Sequence, residues 1–396
     1  MRFVLVTPYT PPLVGGHERT AATVARGLLA AGHDATIVGQ FASARVPLHD
    51  RFVRVEPERT FREGDITVSI VRPWWPLGLP GSVVYGMMWT PPLRGMAATL
   101  LGRGFRGSLG PIVRGADVVH YLGTGTEAIG FAAADAARQA GAALVIQPAI
   151  HPGRWGDRAL DAELYRRADA VLAFTRGEAD VLAGLGVAAD RVHTVPGSID
   201  PPPATDPAGF RRRHGITGPM VLFLGRKTED KGVPRLLAAW PAVRAAMPAA
   251  TLVLVGPAAD ATTLAAAPAA GIVDIADASD QEKHNALAAC DLLCMPSVGE
   301  SFGIAVFEAW SHGKPVVVGD VPALRESVGA ARAGLLVHPE PAAVAEAVVR
   351  LLGDPTTRAE MGERGRILAA GHTHDRAIAC YLDGYAAALR RRSAVN

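Results

Sequence analysis

The chain has 396 residues, 49% hydrophobic and 20% charged, and its 40 basic and 38 acidic side chains leave a formal net charge of +2. That length suits two domains of about 100–200 residues each. The near balance of charge speaks against a nucleic-acid binder, which carries a strong basic excess. The three cysteines, Cys290, Cys294 and Cys380, make no disulfide framework and point to a reducing cytosol.

Along the chain, short apolar runs alternate with helical patterns, the signature of βαβ units and a parallel sheet. The start, Met1-Arg-Phe-Val-Leu-Val, is too short for a signal peptide and reads as a buried strand over Phe3–Thr7. A Pro/Gly loop runs to Gly16, a helix from about Glu18 to Ala31 ends at Gly32, and a strand follows at Ala35–Val38. Residues 74–95 are less regular, because prolines break any long helix there. They read as core and loop packing, with an acceptor pocket or a lipid-facing surface as alternatives. Further strands read at Val118–His120, Ala143–Gln147, Ala170–Phe174 and Val192–Val195.

Pro196-Gly-Ser and Pro201-Pro-Pro203 then punctuate the chain and mark a domain boundary. The division expected is 1–198, 199–374 and a closing helix over 375–396 that reaches back to the first domain. The pattern restarts with a strand at Met220–Leu224 and a helix over Gly232–Met247. Strands at Thr251–Val255, Ile272–Ile275, Leu292–Met295 and Pro315–Val318 complete it. Cys290 and Cys294 fall in an apolar stretch and read as buried small hydrophobes. The fold class expected is α/β, with two doubly wound Rossmann-like domains facing a central cleft. In such sheets ligands sit at the carboxyl ends of the strands.

The most informative motif is Glu300-Ser-Phe-Gly-Ile-Ala-Val-Phe-Glu308. On a helix, positions eight apart project to roughly one face. Ser301, Phe302, Gly303 and Ile304 would supply the unpaired N–H groups of a helix start, where phosphate binds. One acid then suits ribose hydroxyls and the other sugar hydroxyls; the bland alternative is two solvated glutamates. A second motif, Gly225-Arg-Lys-Thr-Glu-Asp-Lys-Gly232, sets Arg226 and Lys231 on a glycine-bracketed loop after a strand, with a solvated, charge-rich turn as the alternative for this loop alone. Arg grips two phosphate oxygens and Lys acts as a point charge. Gly15-Gly16 before a helix lets backbone approach a ligand oxygen. His120 ends a strand aimed at the same cleft, where a lone histidine is more often structural than a ligand contact. Gly123-Thr-Gly125 lacks the third glycine of a dinucleotide fingerprint, and neither a Walker loop nor a Gly-x-Ser-x-Gly elbow occurs.

Taken together, these motifs resemble retaining glycosyltransferase family 4, of GT-B fold. The resemblance runs nearly end to end. It takes in Gly32-His-Asp-Ala-Thr-Ile-Val, Ala168-Asp-Ala-Val-Leu-Ala-Phe-Thr175, Val195-Pro-Gly-Ser-Ile-Asp200, Gly313-Lys-Pro-Val-Val-Val and Gly334-Leu-Leu-Val. It implies that Arg226 and Lys231 bind the diphosphate of a nucleotide sugar and stabilise it as leaving group. Glu300 would hold donor-sugar hydroxyls with the N–H groups of Phe302, Gly303 and Ile304, and Glu308 the ribose. Gly16 would approach phosphate or sugar. His120 would be the family's cleft histidine, near the reacting carbon. Ile275 and Ala276 would contact the base.

His151, Arg154 and Trp155 are the acceptor candidates, with loop packing as the alternative. The resemblance implies a front-face transfer with retention. No metal-binding acidic motif is evident and no cofactor beyond the donor is expected, so cations and a helix dipole would take the leaving charge. A UDP-sugar is the first expectation for the donor, and a small molecule or a lipid for the hydroxyl acceptor. The expected setting is a bacterial cytoplasm, compatible with peripheral contact at the inner membrane face, with no nucleic-acid partner. A nucleotide-sugar epimerase and a non-catalytic nucleotide-sugar-binding subunit are the competing readings.

Overall fold

A computed structural model describes the chain except Val14, Arg45, 47–53, 75–80, 259–270 and Asn396, together with the side chains of 81, 82 and 395. The chain forms two compact units, one of Met1–Pro196 with His374–Asn396 and one of Gly197–Thr373.

The first unit is built on eight strands: β1 (Arg2–Val6), β2 (Asp34–Gly39), β3 (Arg59–Glu63), β4 (Ile66–Ile70), β5 (Val118–Leu122), β6 (Ala143–Gln147), β7 (Ala170–Ala173) and β8 (Val192–Thr194). They lie in the order β3-β4-β2-β1-β5-β6-β7-β8. All neighbours are parallel except the edge strand β3, which runs antiparallel to β4. Strand alternation sorts the side chains onto two faces. Val4 and Val6 join the core under the Arg94–Gly104 and Ala128–Ala140 helices. Phe3 and Leu5 join the core under the Gly16–Ala30 helix and the closing helix, His374–Val395, which supplies Ala377, Tyr381, Tyr385 and Ala388. Of residues 74–95, expected to be less regular, 75–80 lie outside the described residues; from 81 on the chain forms the Gly81–Met88 helix and a short turn at Pro91–Leu93, and then enters the Arg94–Gly104 helix. Pro91 and Pro92 fall between the helices, where their fixed φ and missing N–H cost little.

The second unit holds β9 (Met220–Leu224), β10 (Thr251–Val255), β11 (Ile272–Ile275), β12 (Leu292–Met295), β13 (Val316–Gly319) and β14 (Gly334–Val337), in the order β11-β10-β9-β12-β13-β14. Every neighbouring pair is parallel. This is a doubly wound order, with the winding reversing between β9 and β12. Cys290 and Cys294 are buried here as small hydrophobes, and burial pushes the Cys290 thiol up to about 12.

Candidate active site

The switch between β9 and β12 is where a doubly wound sheet opens a crevice at its carboxyl edge. The loop leaving β9 carries Arg226 and Lys231 and ends at Gly232, whose φ is +84. A Cβ on Gly232 would stand 2.2 Å from the Pro296 carbonyl oxygen, so only glycine lets this loop close against the exit of β12. That closure brings Lys231 Nζ to 2.7 Å from Glu300 Oε1. Glu300 is buried and Arg226 exposed. The amide of Val298 donates to the Asp230 carbonyl at 3.0 Å and ties the two loops together. Burial alone would raise the Asp230 carboxyl, yet the Thr228 hydroxyl, with the Lys231 and Arg226 charges beside it, holds it below its ordinary range.

Beyond Glu300 the chain turns through Gly303, at φ +85, into the Ile304–Ser311 helix. The amides of Val306 and Phe307 turn back on the Gly303 carbonyl, at 2.9 and 3.4 Å. Those of Ile304 and Ala305 meet no acceptor among the described residues. The Ser301 and Gly303 amides likewise meet no backbone acceptor among the described residues, and the left-handed Gly303 caps the helix that Ile304 opens. The Phe302 ring stacks on Phe307 with centroids 4.3 Å apart, so its side chain packs while its backbone lines the turn.

Glu308 lies one turn into this helix, buried, with Lys283 Nζ 2.8 Å from its Oε1. Lys283 rises from the Asp280–Ala289 helix and also pairs with Asp280 at 2.7 Å. The two helices are latched by His284 Nδ1 and His312 Nε2, 3.0 Å apart. Burial, with His284 alongside, pushes His312 down to about 4, so the ring is neutral at pH 7. At the end of β11, Ile275 is half-buried and Ala276 exposed. Lys227, fully buried, pairs with Asp274 on that same strand. The second unit therefore gathers Arg226, Lys231, Glu300, the 302–304 turn and Glu308 on elements flanking its switch point, with Ile275 and Ala276 at the edge of the same sheet.

In the first unit, Gly16 opens the Gly16–Ala30 helix, and a Cβ there would meet nothing within 4 Å. His151 and Trp155 come together, with ring centroids 4.0 Å apart, on a loop after β6. Arg154 beside them is exposed. The turn leading into this loop holds Ala149 at φ +51, a strained value for a residue with a Cβ. The fully buried carboxylate of Glu178 clamps it, accepting from the Ile150 amide at 2.5 Å and the Phe174 amide at 2.7 Å.

His120 is a correction. Its side chain shares the face of β5 with Val118 and Leu122, beneath the closing helix, not a ligand edge. It is fully buried, with Nδ1 2.9 Å from the Tyr385 hydroxyl. Desolvation pushes it down to about 3, so the imidazole is neutral. It cannot touch a donor.

Sequence reasoning also passed over Lys283, Lys227 and Glu178. Two of these had a signal. Ser279-x-x-Glu282 and Thr175-x-x-Glu178 are helix-start patterns, and in both the hydroxyl accepts from the acid's own amide at 3.1 Å. Either would have drawn attention to its helix. Lys227 had none, since burial of a lysine is visible only once its partner strand is placed.

Comparison with known proteins follows this geometry. A family model described as "Glycosyl transferase 4-like domain" matches residues 15–197. A second, "Glycosyl transferases group 1", matches residues 218–354. D-inositol 3-phosphate glycosyltransferase of Xylanimonas cellulosilytica is 33% identical over 255 residues, 59% of this chain and 60% of the relative. 2-Deoxystreptamine glucosyltransferase of Streptomyces kanamyceticus is 32% identical over 204 residues, 48% of this chain and 53% of the relative. The chain thus spans 53–60% of the length of these curated relatives. Among solved structures, sucrose-phosphate synthase of Thermosynechococcus elongatus superposes with a TM-score of 0.73 at 16% identity, covering 100% of both chains. Anabaena Alr3699/HepE in complex with UDP gives 0.70 at 18% identity, covering 97% of this chain and 100% of that one.

Proposed function

We propose that this chain, a glycosyltransferase of GT-B fold, moves a sugar from a nucleoside-diphosphate donor to a hydroxyl acceptor, with retention at the anomeric carbon and without a metal. The observation that carries this is the pairing of Lys231 with Glu300 at 2.7 Å beside the helix start at Gly303. A cation, a carboxylate and aligned backbone donors then meet where a diphosphate sugar would lie.

In this reading Arg226 and Lys231 bind the diphosphate and take up the charge that grows as it leaves. A phosphate oxygen about 4 Å from one such cation gains roughly 4 kcal/mol at an effective dielectric of about 20. The amides of Ile304 and Ala305 add the positive end of a helix. With these groups supplied by the chain, charge stabilisation needs no metal. Glu300 holds sugar hydroxyls, Glu308 with Lys283 holds the ribose, and Ile275 and Ala276 meet the base. Gly16 leaves room for close backbone approach. The acceptor oxygen attacks on the face from which the diphosphate departs, and a phosphate oxygen takes its proton. Glu300 positions the sugar and forms no bond to it.

The named relatives support hydroxyl acceptors on polar rings, and the UDP-bound neighbour makes a uridine diphosphate sugar the first donor to test. The test is transfer from a panel of nucleotide sugars, with the anomeric configuration of the product read by NMR. Retained configuration, with substantial transfer left in Glu300→Gln, supports the scheme. An inverted product, or a glycosyl adduct trapped on Glu300, overturns it.

A further inference from the structure

Between Asp65 and Asp117 the chain has no carboxylate and five arginines, at 72, 94, 103, 106 and 114. Within this stretch the Gly81–Met88 and Arg94–Gly104 helices form a hairpin. Its inner side is apolar and anchored: Val84, Met88, Ala97, Ala98 and Leu101 are buried in the core with the Ala128–Ala140 helix. Its outer corner is apolar as well. Val83 is 48% exposed, Trp89 40%, Leu93 36% and Met96 50%, with Pro91 and Pro92 exposed between them.

Single exposed hydrophobes are ordinary on a soluble protein. Three of them, Trp89, Leu93 and Met96, around one turn, joined by exposed prolines and free of acids, are not. The rim is cationic. Arg94 donates to the Met88 carbonyl at 3.2 Å, and the Arg158 guanidinium stands 5.6 Å over the Trp89 ring. Arg103 is exposed further along, and Arg106 faces Asp135 at 3.5 Å. Among the described residues no helix is long and apolar enough to cross a membrane.

We propose that this corner docks on the anionic surface of a lipid bilayer, with Trp89, Leu93 and Met96 entering the headgroup region and the arginines meeting lipid phosphates. An indole with an apolar body and a polar N–H suits that depth. An anionic leaflet attracts arginines placed within a Debye length. A second copy of this chain fits less well, since two such rims repel. The Arg158–Trp89 contact also ties the corner to the loop of His151, Arg154 and Trp155. On the transfer reading above, on which this last step rests, the acceptor hydroxyl is presented from the bilayer, as on a lipid or a membrane-associated molecule.

The test is flotation of the full chain with vesicles of phosphatidylcholine alone and of phosphatidylcholine with phosphatidylglycerol. It needs no transfer activity, so it fails or succeeds apart from the functional reading. The chain should float with the anionic vesicles and stay behind with the neutral ones. About 1 M NaCl, where the Debye length is about 3 Å, should weaken the association. The double variant Leu93→Asp with Met96→Asp, at exposed positions, should lower the bound fraction about tenfold while leaving thermal stability and nucleotide binding unchanged. Equal flotation of variant and parent, or no flotation of the parent on anionic vesicles, overturns the proposal. So does self-association of the parent that the variant abolishes without any vesicle binding, or capture by an acidic protein in place of lipid.

Discussion

Lys231 Nζ lies 2.7 Å from Glu300 Oε1, although the two residues are 69 positions apart in the chain. The Gly232 turn makes this possible, and it binds the loop after β9 to the loop after β12. Because Glu300 is buried, removing the ammonium leaves a carboxylate without compensation. Lys231→Met and Glu300→Gln, alone and together, should therefore be non-additive. A thermal-denaturation cycle should give a coupling energy of about 0.5–3 kcal/mol. Strict additivity would mean that the contact carries no energy.

Glu308 and Lys283 form the second pair, on two helices latched by His284 and His312. If they hold the ribose in ground and transition states alike, Glu308→Gln should raise the donor KM about tenfold with kcat nearly unchanged. Steady-state kinetics with varied donor checks this. A fall in kcat at constant KM would give Glu308 a different role.

Glu178 predicts a pH effect. Burial raises its carboxyl from 4.5 to about 7, against the opposing pull of the Ile150 and Phe174 amides. Between those values the folded chain keeps a proton that the unfolded chain has lost, so stability falls as pH rises through that window. At 1.36 kcal/mol per unit the change amounts to about 3 kcal/mol. Asp161, raised to about 6 chiefly by burial, acts in the same direction. Glu178→Gln should flatten the slope of unfolding free energy between about pH 5 and 7. An unchanged slope would place the titration elsewhere.

His120 separates structure from chemistry. His120→Phe should leave the Tyr385 hydroxyl without its partner and cost about 1–3 kcal/mol of stability. Transfer measured well below the melting temperature should stay within about threefold of the parent, since the ring lies in the core. A loss of kcat by orders of magnitude in a well-folded variant would restore a role at the reacting carbon.

Much of the fold was legible because parallel strands buried on both faces read as near-continuous apolar runs. Val221-Leu-Phe-Leu224 and Leu252-Val-Leu-Val255 are of this kind. β3 was not legible, since Arg59-Thr-Phe-Arg-Glu63 is an edge strand with charges outward and no apolar run. The motif residues of the second unit were legible because their types match phosphate and hydroxyl chemistry. Their partners were not, since Lys283 and Lys227 gain meaning only when distant helices or strands meet. His120 misled because strand parity was not followed along β5. Val118, His120 and Leu122 share one face, and that face is apolar.

The most direct test is calorimetric titration of nucleoside diphosphates, UDP first, into the parent and into Arg226→Ala and Glu308→Gln. The account predicts that at least one diphosphate binds the parent and that Arg226→Ala weakens it at least tenfold. At about 100 times its dissociation constant, that ligand should add roughly 2.7 kcal/mol of stability to the parent. If no nucleoside diphosphate binds the parent, or both variants bind as tightly as it does, the donor site lies elsewhere.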